Sequence, residues 1–97
     1  MQLGDKNMII KEYLIEEIKE LASYLTKNNY EDDAKRLLAI VEELSEEDDK
    51  QKLALKRLTM MCNPRYLGNL VINEFNDSYK WWNYLGAIAK HAEELMK

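Results

Sequence analysis

Residues 60–67, Met60-Met61-Cys62-Asn63-Pro64-Arg65-Tyr66-Leu67, contain the one proline of the chain. Proline pushes the residue before it out of the helical region, and it fits the first position of a new helix. The stretch therefore ends one helix at about Cys62 and starts another just after Pro64. The remaining elements follow by working outward from this break.

Upstream, Leu55, Leu58, Met61 and Cys62 share one side of a helix, with Leu53 and Met60 on another flank. A helix apolar more than halfway round is expected at the centre of its bundle. Ser45, with Asp48 three residues on, predicts its N-cap. Before it, Ala34, Leu37, Leu38, Val41 and Leu44 form the seam of a second helix. Asn29 is its predicted cap, and acids in the first turn suit the helix dipole. The first helix is predicted over about 6–27, capped by Asp5 and ended by Asn28-Asn29, with Ile10, Tyr13, Leu14, Ile18, Leu21, Tyr24 and Leu25 as its stripe.

Downstream of Pro64, a short helix is predicted with Leu67, Leu70, Val71 and Phe75 inward. Asn76-Asp77-Ser78 then caps a last helix over about 78–96, whose inward seam is Trp81, Leu85, Ile88, Ala92 and Leu95. The predicted fold is all-α: one compact domain over residues 1–97, with four main helices plus one short helix after Pro64. Three glycines and one proline in 97 residues leave too few turns for a many-stranded sheet.

The charge is divided. Residues 1–49 carry six basic and fourteen acidic side chains, while residues 50–97 carry eight basic and four acidic ones, so a net −4 is split into −8 and +4. The contrast is sharpest between Glu42-Glu43-Leu44-Ser45-Glu46-Glu47-Asp48-Asp49 and the segment from Lys50 to Arg65, which has no acid. The plain structural reading is a set of solvated helix faces with charges placed to suit each helix. The functional reading is an acidic surface that attracts a basic protein partner, of the kind whose groove otherwise holds phosphates.

A second pointer is Tyr79-Lys80-Trp81-Trp82-Asn83-Tyr84, with four aromatic rings in six residues. One helical stripe cannot hold all four. Trp81 falls on the inward seam, and Trp82 falls about 100° away. Tyr79 lies further round. Trp82 and Tyr79 are therefore either packed by a further helix or exposed as partner anchors. Glu17 lies at the edge of the first helix's stripe, between Tyr13 and Leu21. It is either a boundary residue with its head in water or an acid in a groove that meets a partner's cation.

Other chemistry finds little footing. His91 is the lone histidine, one turn from Glu94, and no second ligand set accompanies it, so no metal or cofactor is expected. Cys62 reads as a small core residue and cannot form an intrachain disulfide, which suits a reducing compartment. No signal peptide or membrane span is legible, so the expected location is cytoplasmic. The expected function is that of a non-enzymatic binding protein that neutralises or regulates another protein, with Glu42, Glu43, Glu46, Glu47, Asp48, Asp49, Glu17, Tyr79 and Trp82 as its contacts. In size, acidity and helix content the chain resembles bacterial immunity proteins, antitoxins and phage anti-defence inhibitors in type, with no shared motif. Two alternatives remain. One is a DNA-binding regulator using residues 50–75 as a helix-turn-helix, in which Arg65, Asn69 and Asn73 make a sparse reading set. The other is a structural homodimer.

Overall fold

The computed structural model describes residues 3–46 and 48–96, with side chains from residue 9 onward except that of Asp48. Four helices make the fold: α1 (Leu3–Lys27), α2 (Glu31–Glu43), α3 (Asp48–Met61) and α4 (Ser78–Met96). A lone 3-10 turn, Leu67–Asn69, lies between α3 and α4. The described residues contain no strand. Helix α1 packs on α2 and α4, and α3 packs on the same two, so the four close a ring around one core. That core is Leu14, Ile18, Leu21 and Leu25 from α1, Leu37 and Ile40 from α2, Leu55 and Leu58 from α3, and Trp81, Leu85 and Ile88 from α4.

The joint after α1 matches the prediction at the end of α1 and differs at the start of α2. Asn29 has a left-handed backbone, φ 71°, a region asparagine enters more readily than most side chains. Its amide bonds the Thr26 carbonyl at 3.2 Å, and the Tyr30 amide bonds the Leu25 carbonyl at 2.8 Å. This pair of backward bonds closes a helix C-terminus. Asn29 thus ends α1, as expected, but does not cap α2, whose N-cap is Tyr30 with no side-chain bond. Asp5 lies inside α1 and not at its start.

Ser45 also faces backward. Its hydroxyl donates to the Glu42 carbonyl at 2.7 Å and so closes the end of α2 instead of opening α3. The capping partner predicted for it, Asp48, is the first residue of α3, and its side chain lies outside the described residues. The seam of α2 runs through Ala34, Leu37, Ile40 and Leu44, whereas Leu38 is 46% exposed. Leu38 sits about 100° round from Leu37 and falls outside the arc covered by α1 and α3. Nor is α3 central. Leu53 and Met60 are 51% and 69% exposed, because its second apolar flank faces outward beside α2.

The short helix after Pro64 shrinks to one turn. Its first carbonyls, which would accept the amides of Val71 and Ile72 in an α-helix, are taken by side chains. The Trp81 indole N–H donates to the Leu67 carbonyl and the Trp82 indole N–H to the Gly68 carbonyl, each at 2.9 Å. The chain leaves the turn extended at Leu70, ψ 149°. Val71 therefore points outward, 73% exposed, and Ile72 fills the core position instead. Asn28 fastens the rest of the connection. Its side-chain oxygen accepts the Asn73 amide at 2.9 Å, and its side-chain nitrogen donates to Glu74 at 2.8 Å. Asp77 then caps α4 by accepting the Tyr79 amide at 2.8 Å.

Candidate partner-binding surface

The two adjacent tryptophans part company at the start of α4. Trp81 is 3% exposed and stacks on Tyr84, with ring centroids 5.8 Å apart. Phe75 and Tyr24 complete the cluster, with Phe75 5.1 Å from Trp81 and Tyr24 5.3 Å from Phe75. Tyr84 donates its hydroxyl to Glu20 on α1 at 2.8 Å. Burial and the neighbouring carboxylate push its phenol well above the usual range.

Trp82 has one side against the 3-10 turn and the other in solvent, with 39% of its surface exposed. The close approach depends on Gly68. A Cβ there would lie 3.1 Å from the indole nitrogen and 3.3 Å from the Asn63 carbonyl oxygen, so the ring would have to shift. Tyr79 is 71% exposed and meets Trp82 edge to face at 5.6 Å. The two rings form an exposed aromatic pair whose Trp82 half is fixed by a hydrogen bond to the backbone.

The acids lie elsewhere. Glu42, Glu46 and Asp49 are exposed at the corner between α2 and α3. Glu43 is partly buried and faces Arg57 across 3.3 Å. Glu47 lies outside the described residues, as does the Asp48 side chain. The aromatic pair is at the opposite end of α2, where the hydroxyl of Tyr66, next to the 3-10 turn, meets Arg36 and Asp33. The 13 residues of α2, about 20 Å of helix, separate the two predicted sets.

Glu17 is partly buried and has a partner within the chain. Its carboxylate lies 2.7 Å from the His91 Nδ1, so the partner of His91 is Glu17 on α1 and not Glu94 one turn away. Tyr13 covers the imidazole edge to face at 5.4 Å. Cys62 is buried as expected, and burial together with the Glu17 carboxylate pushes its thiol up to about 12. Among the described residues no group of three or more histidine, cysteine or acidic side chains converges as a metal site would require. Among the described residues no helix is long and apolar enough to cross a membrane. Segment 50–75 contains no second helix of the length a helix-turn-helix needs, since Leu67–Asn69 is a single turn.

Sequence reasoning missed a groove between α2 and α3. Arg36, Ala39, Ile40 and Glu43 form one wall, Arg57, Met60 and Met61 the other, and Tyr66 closes one end, around about 370 Å³. The signal was present in the numbering. Positions 36, 39, 40 and 43, and positions 57, 60 and 61, are each one face of a helix. Comparison with protein-family models, with curated proteins and with solved structures gave no match.

Proposed function

We propose that the chain is a non-enzymatic binding protein of the immunity-protein or inhibitor type, which neutralises or regulates a partner protein with a basic, nucleic-acid-handling surface. The observation that carries the reading is the Trp82–Tyr79 pair. Large aromatic rings already held in place bury much area on docking and lose little conformational freedom, as binding hot spots do. Trp82 is held by its bond to Gly68, and Tyr79 stands open beside it. The −8 of residues 1–49 supplies the field that draws in and orients a cationic partner.

Capture from a lysate of the source cells, with the wild type and Tyr79→Ala in parallel, tests the reading. The Tyr79 hydroxyl has no hydrogen-bond partner among the described residues and the ring is 71% exposed, so its removal should spare the fold. A partner should be retained by the wild type, lost or weakened at least tenfold with Tyr79→Ala, and bound at an on-rate that falls with added salt. Capture of the same protein at the same affinity by both would refute the aromatic anchor. An on-rate indifferent to salt would remove the basic partner.

A further inference from the structure

A second hollow lies beside Trp82, between the segment that leaves the 3-10 turn and the start of α4. It encloses about 330 Å³. Residues 69–72 form one wall and Asn76, Asp77 and Ser78 the other, while Phe75 and Trp82 supply aromatic carbon. Among the described residues, Asp77 is the one charged side chain that lines it. In the α2–α3 groove, by contrast, Arg36 and Arg57 stand beside Glu43.

The walls of this hollow have acceptors to spare. Asp77 accepts the Tyr79 amide with its Oδ1, and its Oδ2 has no partner among the described residues. On the opposite wall the chain is extended at Leu70. The Leu70 and Val71 carbonyls accept no hydrogen bond among the described residues. The indole N–H of Trp82 is committed to the Gly68 carbonyl, so the ring offers a ligand only its π surface. We infer that the hollow receives the guanidinium of an arginine on the partner protein. The inference rests on the reading of a basic partner given above, and it names the side chain that docks beside Trp82.

Arginine suits each part of the site. Its guanidinium carries several N–H donors in a planar fork and accepts nothing, which matches a free carboxylate oxygen and free carbonyls. Its flat face stacks on aromatic rings, and tryptophan attracts a cation more strongly than the other rings do. Lysine brings a compact, strongly hydrated head with no flat face. An anion is the contrary choice, because the first amides of a helix favour negative charge. Asp77 already supplies that charge at the start of α4 and takes the Tyr79 amide, so a second carboxylate would meet the first. Glu74 adds another acid to the same loop, and no lysine or arginine lines the hollow.

Titration of the isotope-labelled protein with N-acetyl-arginine amide, and with the matching citrulline as an uncharged isostere, tests it. The NMR signals to follow are the Trp82 indole N–H and the backbone amides of residues 69–78. Arginine should shift them saturably in the millimolar range, as suits a ligand of one residue, and at least about fivefold more tightly than citrulline. Asp77→Asn keeps a good helix cap and loses the charge. It should bind arginine at least about fivefold more weakly, with unchanged circular dichroism. Arginine that binds no better than citrulline overturns the proposal, and so does an Asp77→Asn that binds arginine as wild type does. N-acetyl-glutamate amide that shifts the same signals at lower concentration than arginine overturns it in favour of an anion site. The citrulline comparison uses wild type alone, so it decides even if Asp77→Asn fails to fold. Tyr79 does not line the hollow, so Tyr79→Ala should bind arginine as wild type does. The two ideas therefore fail separately. Capture that ignores Tyr79→Ala removes the aromatic anchor, and arginine no better than citrulline removes the hollow.

Discussion

Trp81 and Trp82 are neighbours in sequence and each donates one hydrogen bond to a neighbouring carbonyl, yet they stand to lose different things on mutation. Trp81→Ala removes a ring that is 3% exposed and leaves the Leu67 carbonyl with the Leu70 amide as its one remaining donor. The expected cost is about 3–5 kcal/mol, a large share of the stability of a domain this size. Trp82→Phe keeps most of the ring and loses only the bond to Gly68, whose oxygen water can then reach. About 0.5–1.5 kcal/mol is expected. Urea melts of the two variants should differ by at least about 1.5 kcal/mol, and equal losses would place both rings in the core. The sequence showed that the two rings point about 100° apart. It could not show where their N–H groups go, because Leu67 and Gly68 are 14 residues from their donors. Glu17 and His91 are a harder case still, 74 residues apart with no local signal joining them.

Among the elements, the helices were legible and the joints were not. The 3.6-residue pattern gave four main helices to within a few residues, as the buried seam of α4 at Trp81, Leu85, Ile88 and Ala92 illustrates. Joints depend on which of two adjacent helices claims a polar residue. Asn29 and Ser45 each suit the start of the helix that follows, and each serves the end of the helix before. The left-handed backbone of Asn29 gives a direct check. Asn29→Ala should cost roughly 1 kcal/mol, whereas Asn29→Gly should be neutral or slightly stabilising. Asn29→Ser distinguishes this from an N-cap role: serine caps a helix start as well as asparagine does but lacks its tolerance of the left-handed backbone, so thermal melts should show a loss. The segment after Pro64 was misread as a helix for another reason. Its apolar spacing is helical, but the two indoles compete for its first carbonyls and hold it to one turn. Periodicity carries no information about such a competitor.

Taken whole, the molecule should tolerate acid and base unequally. The Cys62 thiol is raised from its ordinary value near 9.0 to about 12 by burial and by the Glu17 carboxylate. The Tyr84 phenol is also raised, by burial and its bond to Glu20. Both groups are neutral when protonated, and the folded chain holds both protons more tightly than the unfolded chain. Their contribution is therefore complete below about pH 9 and is lost as the pH climbs toward 12. Melting temperatures should fall steadily above pH 9, and less steeply in Cys62→Ala. A parallel fall in wild type and variant would remove the thiol from the account. The same burial should keep Cys62 unreactive toward iodoacetamide until the chain opens.

The placement of the two indoles also gives the protein a built-in optical readout. One ring is sealed in the interior and reports only on the integrity of the bundle. The other is 39% open to water, at the surface proposed for docking. A molecule that covers Trp82 should move its emission to shorter wavelength and shield it from quenching by acrylamide, with Trp81 unaffected. Denaturation should shift both to longer wavelength. Occupancy and unfolding, which many assays confuse, would then change the colour of this protein's fluorescence in opposite directions, with no dye attached.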